Sequence, residues 1–465
     1  MASMFRTRDS IVRLLDAGAG TGALIRAFVE RRCSEKPLPQ SIHVEAYEID
    51  SRLIPMLDET IDRCRVLCSE QGVKFSALVY NLDFIEVASG LTRDDLFAKE
   101  KSRFTATILN PPYRKINSAS QIRAQLRSSG IETSNLYTAF LALAAKLLST
   151  GGEMVAITPR SFANGPYFRP FREMFLGIMS LRRLHLFESR STAFARDKVL
   201  QENIILNAIK SPAKPETVLV SMSSGAPNAA VSMRECSYRE IVSPDDTEMF
   251  IHLWTDDKQA EARRMMSKLH ANLIELGLEV STGRVVDFRV KKFLRMEPGP
   301  HNVPLIYSCH FQAGYVTWPR VPSRKPNALL DTQETHALML PAGVYVLTKR
   351  FSAKEERRRV VACIYDPARV PATNVGFENH LNYFHVAGSG IPKNLALGLA
   401  AYLNSTVLDN YFRQFNGHTQ VNATDLRNLP YPERSKLEAV GRHLGPAVLN
   451  QQELDQLLQK ELFDD

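Results

Sequence analysis

A chain of 465 residues is long enough for two domains, because a typical domain holds about 100–200 residues. Its 44% hydrophobic and 23% charged residues are those of an ordinary globular protein, and no apolar run approaches the ~18 residues of a membrane span. The net charge of +8 permits a polyanionic partner such as a nucleic acid. The N-terminus has no apolar signal core, so we expect a cytosolic chain.

The six cysteines do not form a pattern typical of a disulfide framework or a zinc site. Only Cys64 and Cys68 lie close together in the sequence, and no second pair accompanies them. We therefore expect reduced thiols and no bound metal.

The first element reads as a buried strand over residues 11–15, followed by a glycine-rich turn and a helix over 23–32. Glycines such as Gly18 and Gly20 let the backbone approach a ligand at a helix N-terminus. Asp16, directly at the strand end, would repel a pyrophosphate but attract an ammonium group. The pattern therefore favours S-adenosylmethionine over a dinucleotide, and a tight turn without a ligand is the alternative.

Acidic side chains also follow the next two predicted strands, over residues 42–47 and 75–80. An acid at the end of the second strand commonly binds ribose hydroxyls, and Glu48 fits that role, with capping of the following helix as its alternative. Ile49 can pack on one face of an adenine. Asp83 can accept a hydrogen bond from the adenine amino group, with Phe84 beside the ring.

The fourth strand ends in the sequence Asn110-Pro111-Pro112-Tyr113. The prolines fix φ and remove two backbone donors, so this loop leaves the sheet with an amide side chain, free carbonyls and an aromatic ring exposed. Asn110 and the Pro111 carbonyl can each accept one proton of an NH2 group, while Tyr113 stacks on its planar ring. A common proline-rich turn is the alternative.

Four polar side chains thus follow four successive strands: Asp16, Glu48, Asp83 and Asn110. Ligands of open α/β sheets bind outside the carboxyl ends of the strands, so these positions predict one site. Further along, we expect a polar segment over the site at 114–130, an apolar helix from 135 to 148 that ends at a glycine pair, and strands at 154–159, 181–187 and 203–209. Two short strands should then extend the sheet edge.

The composition changes after Lys210, and the turn-like segment at 243–246 predicts a domain boundary between residues 1–245 and 246–465. The second part reads as mixed α+β, with helices expected at 256–276, 395–411 and 436–463. It carries a basic run and a polar loop whose side chains suit phosphates and base edges; a solvated surface is the alternative reading. The residues concerned are Arg357, Arg358, Arg359, His418 and Gln420.

This order of motifs resembles the gamma-class N6-adenine DNA methyltransferases of restriction–modification systems. In that family a glycine motif comes first, N-P-P-Y follows, and a target-recognition domain is C-terminal. The resemblance covers residues 10–210 well and the remainder more loosely. It implies an α/β fold with a Rossmann-like seven-stranded sheet, a C-terminal α+β target-recognition domain, S-adenosylmethionine as cofactor and double-stranded DNA as partner. A cognate restriction endonuclease is a further expected partner.

The resemblance also implies roles for individual residues. The segment 16–22 looks like the loop that binds the methionine moiety, Glu48 like the ribose ligand, and Asp83 with Phe84 like the adenine-binding pair. Phe140 resembles an aromatic that packs near the cofactor. Phe194, in a later loop, resembles the aromatic that packs on the flipped target base.

The chemistry expected for this family needs few groups, because the amino nitrogen of adenine is conjugated into the ring and is a poor nucleophile. Acceptors from Asn110 and Pro111 would hold its protons, and catalysis would be mostly positioning and electrostatics. A target base inside a duplex must be flipped out, and Tyr113 and Phe194 would then enclose it.

One departure from the family concerns the N-terminus. The family usually has a further helix and loop before the glycine motif, whereas here only Met1–Ser10 precede the first strand. This short N-terminal segment has two interpretations, weak cofactor binding or a truncated chain. Other function classes stay open: methyltransferases of RNA bases or of protein glutamines also carry N-P-P-Y, and a DNA-recognition or nuclease-associated protein is the non-methyltransferase alternative.

Overall fold

The structure is a computed structural model, and it divides the chain into two compact units, Met1–Thr255 and Asp256–Asp465. The described residues are 1–92, 104–187, 203–225, 229–243, 246–253, 257–352, 356–415, 419–444 and 449–464. Among these residues, no helix has both the length and the apolar character needed to cross a membrane.

The first unit is built on a nine-stranded mixed sheet with the strand order β3-β2-β1-β4-β5-β7-β6-β8-β9. The five neighbouring strands β3, β2, β1, β4 and β5 are parallel to one another. Strand β7 runs antiparallel to both β5 and β6. The α/β fold class is therefore confirmed, and β8 and β9 form the predicted edge extension. The strands are β1 Ile11–Ala17, β2 Ser41–Tyr47, β3 Lys74–Tyr80, β4 Phe104–Leu109, β5 Leu148–Pro159, β6 Met179–Phe187, β7 Asn203–Lys210, β8 Thr217–Ser223 and β9 Ser232–Ser237.

Helices of the first unit follow the strands and cover the sheet with their apolar faces. In the first helix, Ile25, Phe28 and Val29 recur at helical spacing and are buried. The helices are α1 Ala23–Ser34, α2 Ile54–Glu70, α3 Phe84–Thr92, α4 Gln121–Ser128, α5 Leu136–Leu147, α6 Arg169–Ile178 and α7 Tyr238–Ile241.

Two segments of the first unit differ from their sequence prediction. The glycine pair does not end α5 but lies inside β5, where an added Cβ on Gly152 would come within 2.8 Å of Ser149 O and 3.2 Å of Phe104 O. Glycine is needed because β4 and β5 approach closely at a register shift. The polar segment after the N-P-P-Y loop contains α4, which is capped by the Ser120 side chain.

The second unit is α+β, with one six-stranded and one five-stranded sheet. The orders are β10-β20-β17-β18-β14-β13 and β11-β15-β12-β19-β16. Their strands are β10 Glu279–Thr282, β11 Leu294–Arg295, β12 Asn302–Ile306, β13 Phe311–Gln312, β14 Tyr315–Val316, β15 Ala328–Leu330, β16 Met339–Pro341, β17 Tyr345–Lys349, β18 Ala362–Tyr365, β19 Asn374–Phe377 and β20 Leu381–His385.

The helices of the second unit are shorter than predicted. Where one helix was expected over 395–411, two helices are separated at Asn404, because the Asn404 side chain bonds to both the N–H and the carbonyl of Ala362. Ser405 then caps the next helix through Leu408 N. The helices are α8 Asp257–Met266, α9 Lys393–Leu403, α10 Thr406–Phe415, α11 Ala423–Arg427, α12 Arg434–Leu444 and α13 Gln451–Leu458.

The chain passes from the first unit to the second later than residue 245. Val242 pairs with Ile251 in an antiparallel bridge, and Ile251 N–H donates to Ala163 O. The buried guanidinium of Arg172 also bonds to Glu248 O. Residues 246–253 therefore pack within the first unit, although the sequence assigned them to the second domain.

Candidate active site

The register of the parallel strands brings the predicted strand-end residues to one edge of the sheet. Leu15 of β1 lies opposite Thr107 of β4, whose hydroxyl donates to Leu15 O at 3.1 Å. On the other side of β1, Ala17 aligns with Tyr47, which aligns with Tyr80 of β3. The residues that follow these positions therefore lie at neighbouring carboxyl ends: Asp16 to Gly18, Glu48, Asp83 and Asn110.

The glycine turn between β1 and α1 has backbone angles that favour glycine. Gly18, Gly20 and Gly22 have φ values of 77°, 56° and 81°. The amides of Gly18 and Ala19 both donate to Tyr47 O, so the turn is fixed against the end of β2. This leaves a turn with no side chains at its bends, open to a ligand.

Close approach at Gly18 links this turn to two other predicted elements of the site. An added Cβ on Gly18 would lie 3.8 Å from Phe140 Cε1 and 3.9 Å from the carbonyl oxygen of Asn110. The glycine turn, the aromatic side chain of α5 and the N-P-P-Y loop therefore meet at one point. A larger residue at Gly18 would reduce the space between them.

Asp16 is the most unusual group of the site. Its side chain is 0% exposed, and neither carboxylate oxygen has a hydrogen-bond partner among the described residues. Burial, and to a smaller extent the nearby Glu48 charge, raise the pKa of Asp16 to about 8. A buried carboxyl group without a partner suits a cationic ligand group, because such a ligand would supply the missing donor and charge.

Glu48 fixes the glycine turn from β2. Its Oε2 accepts from Gly20 N–H and its Oε1 from Asp50 N–H, both at 2.8 Å. Asn81 of the loop after β3 donates through Nδ2 to the carbonyls of Glu48 and Ile49. The sequence analysis missed Asn81, although its place between β3 and Asp83 was a usable signal.

Aromatic rings form the floor beside the glycine turn. Phe84 lies 5.4 Å from Tyr47 and 5.2 Å from Phe140 between ring centroids. Phe84 and Phe140 are buried, whereas Ile49 is 68% exposed and presents an apolar surface at the same edge. Asp83 Oδ1 accepts from Ile85 N–H and so begins α3.

The N-P-P-Y loop leaves β4 with Asn110 exposed and Pro111 buried, while Pro112 is exposed. The Tyr113 hydroxyl lies 3.4 Å from both Asn110 Oδ1 and Ile157 O, so the loop and the end of β5 are joined through one phenol group. The amide oxygen of Asn110 therefore lies beside the Tyr113 hydroxyl.

Tyr113 packs against further buried side chains that the sequence analysis did not predict. The Tyr137 ring lies edge-on to Tyr113 at 6.2 Å, and its hydroxyl hydrogen-bonds to Ser161 at 2.8 Å. Burial raises the pKa of Tyr137. Arg172, which is 0% exposed, supports the same segment by donating to the carbonyls of Phe162 and Gly165. These contacts join separate elements of the chain, and the sequence analysis assigned them no role.

The predicted DNA-binding residues lie in the second unit, and they differ in exposure. Arg357 is exposed and Arg358 is half-buried, and burial lowers the pKa of Arg358. Arg359 is 1% exposed, and its Nε donates to the Ser352 hydroxyl at 3.2 Å, so this side chain does not suit a phosphate contact. Gln420 pairs with Phe351 in an antiparallel bridge. Phe194 and His418 lie outside the described residues.

Comparison with known proteins gives one family and full-length relatives. A family model described as Eco57I restriction-modification methylase matches residues 44–194. The type II methyltransferase M.PstI of Providencia stuartii is 42% identical over 99% of this chain and 90% of its own length. The type II methyltransferase M.BsuBI of Bacillus subtilis is 45% identical over 100% of this chain and 92% of its own length.

Solved structures match at low identity. The type IIG restriction endonuclease BpuSI is 12% identical, with a TM-score of 0.45, and the match covers 100% of this chain and 61% of that structure. A complex of DrdV with DNA is 11% identical, with a TM-score of 0.45, over 93% of this chain and 54% of that structure.

Proposed function

Since this chain belongs to the type II methyltransferases of restriction–modification systems, we propose that it methylates the N6 amino group of a flipped-out adenine within a specific DNA sequence. The observation that carries this proposal is the meeting of the glycine turn and the N-P-P-Y loop at Gly18. A Cβ added at Gly18 would lie 3.9 Å from Asn110 O. A methyl donor in the glycine turn and a methyl acceptor at the N-P-P-Y loop would therefore be neighbours. Catalysis by positioning requires this adjacency.

The residues of the glycine turn fit S-adenosylmethionine. Asp16 offers a buried carboxyl group without a partner to the ammonium of the methionine moiety. Glu48 keeps lone pairs for ribose hydroxyls after accepting two backbone amides, and Ile49, Phe84 and Asp83 would border the adenine. When bound, S-adenosylmethionine supplies an electrophilic methyl group.

The N-P-P-Y loop would hold the acceptor base. Asn110 Oδ1 and the Pro111 carbonyl would each accept one proton of the amino group, which turns the nitrogen lone pair toward the methyl donor. Tyr113 would stack on the base from one side, and we keep Phe194 as the proposed aromatic on the other. In the free chain, the Tyr113 hydroxyl lies 3.4 Å from Asn110 Oδ1, so substrate entry would compete for that oxygen.

We assign recognition of the DNA sequence to the second unit. Arg357 and Arg358 are the proposed phosphate contacts, and Gln420 with His418 are the proposed base contacts. Methylation would protect the sequence from a partner restriction endonuclease that cuts the same site.

The experiment is methylation of duplex DNA by the purified chain with S-adenosylmethionine, followed by digestion to nucleosides and mass spectrometry. We expect N6-methyladenine within one short sequence context. N4-methylcytosine as the only product would overturn the adenine assignment while leaving the amino-group chemistry intact. Parallel reactions with RNA and with a glutamine-containing protein should give no product; methylation there and none on DNA would favour the alternative substrates.

A further inference from the structure

A basic cavity in the second unit has none of the residues assigned to methyl transfer in its lining. Its volume is about 310 Å³, and its lining combines cationic, acidic and aromatic side chains. Six of the lining residues are Tyr307, Lys325, Lys349, Phe351, Glu378 and His380. Such a mixture, open to solvent beside a surface with further arginines, suits a polyanion that also carries planar rings.

Within this cavity an exposed histidine is held by a buried carboxylate. The His380 side chain is 48% exposed, whereas that of Glu378 is 1% exposed. Glu378 Oε1 bonds to His380 Nδ1, and Glu378 Oε2 accepts from His380 N–H at 3.0 Å. An ionised carboxylate only accepts hydrogen bonds, so the proton of the ring lies on Nδ1. In the neutral ring, Nε2 is then a hydrogen-bond acceptor that is free to face a ligand.

The orientation of His380 is also fixed by an aromatic neighbour. The Phe351 ring is 43% exposed, and its centroid lies 4.9 Å from that of His380. Arg350 N–H donates to His380 O at 2.8 Å, and Val421 N–H donates to Arg350 O at 2.8 Å. The backbone of His380 is thus bonded to Arg350, and the next residue, Phe351, forms an isolated bridge with Gln420.

Cationic side chains surround this histidine. Lys349 lines both this cavity and a second cavity of about 590 Å³, which Arg357 and Arg358 also line. Among the described residues, no carboxylate pairs with Lys349 within ion-pair distance. Lys325 lies 5.1 Å above the Tyr307 ring and pairs with Asp287 at 3.2 Å. Lys349 therefore links the cavity of His380 to the one that the predicted arginines line, where Glu356 is also present.

We propose that His380 reads a base edge of the recognition sequence, that Glu378 is its positioning residue, and that Lys349 binds an adjacent DNA phosphate. This inference rests on the proposed function. In its neutral form the ring offers Nε2 as an acceptor, which a phosphate without a donor cannot engage but which can accept from the exocyclic amino group of adenine or cytosine in the major groove. Lys349, a compact cation, suits the phosphate.

The test uses the full chain and a panel of duplexes that carry the mapped methylation sequence or single base-pair substitutions of it. Wild-type methylation rates on the panel give the discrimination at each position. His380→Ala should reduce discrimination at one base pair roughly fivefold to tenfold or more, the low end of what one base contact supplies, and leave the other positions unchanged. Glu378→Gln should relax discrimination at the same base pair, an effect that a merely structural carboxylate would not produce.

Lys349→Ala should weaken binding to matched and mismatched duplexes alike and lower the slope of log affinity against log salt by about 1. His336→Ala and Lys292→Ala are matched controls, since both side chains are exposed in the same unit outside this cavity. Unchanged discrimination in His380→Ala would overturn the inference, even if Glu378→Gln does not fold. If wild type methylates no DNA at all, the proposed function fails instead, so the two failures are distinguishable.

Discussion

Two carboxylates are fully buried in the large sheet, Asp16 in β1 and Glu153 in β5, and their surroundings are opposite. Glu153 accepts hydrogen bonds from the amides of Arg6 and Thr7, from the Thr7 hydroxyl and from Asn207 Nδ2. Asp16 accepts none from the described residues.

This difference separates a structural carboxylate from one that we assign to ligand binding. The Glu153 site is complete in the free chain, because its charge is matched by polar donors from the N-terminal segment and from β7. The Asp16 site lacks donors, so folding leaves an unfavourable buried group that a cationic ligand can stabilise. The same residue chemistry therefore has different consequences at the two positions.

The largest expected effect is at the carboxyl ends of the parallel strands, where substitutions should lower the rate of methyl transfer and leave stability unchanged. Asn110→Ala removes one acceptor for the target amino group, and a preorganised contact of this kind contributes ~3–4 kcal/mol to the transition state. Turnover should therefore fall by roughly 100-fold or more, with cofactor affinity and the unfolding midpoint nearly unchanged. Single-turnover methylation measures this, and Asn117→Ala, an exposed asparagine beyond the loop, is the control. Near-normal turnover of Asn110→Ala would contradict the assigned mechanism.

Glu153, whose oxygens are already hydrogen-bonded, should instead affect stability and leave cofactor binding unchanged. Glu153→Ala leaves the amides of Arg6 and Thr7 and the Asn207 side chain without their acceptor, which should lower the free energy of unfolding by about 3 kcal/mol. Denaturant titration measures the loss. The fraction that remains folded should bind S-adenosylmethionine with unchanged affinity.

Glu173→Ala, which alters an exposed carboxylate of α6, should leave the stability within about 0.5 kcal/mol of wild type. If Glu153→Ala instead lost cofactor affinity at full stability, the contrast with Asp16 would be false.

The contrast also shows what the sequence could and could not predict. Strand-end positions such as Asp16 and Asn110 were predictable, because strand periodicity places the chain ends and parallel strands share one carboxyl edge. The hydrogen-bonding state of Asp16 and of Glu153 was not, because it depends on groups such as Arg6 and Asn207 that lie far away in the sequence. No local pattern encodes the presence or absence of such partners.

The same limit explains the errors in the second unit. The helix expected over 395–411 has apolar periodicity throughout, yet it is interrupted at Asn404, whose amide bonds to Ala362 in another element. The pair of Glu378 and His380 is local, but only the buried state of the carboxylate makes it a positioning pair. Arg359 was grouped with Arg357 by charge alone, although one is buried and the other exposed.

The last expected effect is a pH dependence to which Asp16 contributes. Its pKa is about 8 in the folded chain, because of burial and the Glu48 charge, against 3.8 for an unperturbed aspartate. Between those values the folded state holds a proton that the unfolded state has lost. The stabilising contribution of this protonation is complete below about pH 4 and is lost progressively as pH rises to about 8. Unfolding midpoints of the ligand-free chain should therefore fall across this range more in wild type than in Asp16→Asn.

Cofactor binding should have the opposite pH dependence, because an ammonium pairs with the charged form of Asp16. Binding below the pKa must release the proton, so affinity for S-adenosylmethionine should rise between pH 6 and pH 7.5, by at most about tenfold per pH unit. Calorimetry in two buffers of different ionisation enthalpy measures the released proton directly. Asp16→Asn, which has no proton to release, should bind more weakly and without this dependence. A wild type that releases no proton would mean that Asp16 does not face the ammonium, and its lack of partners would then need another cause.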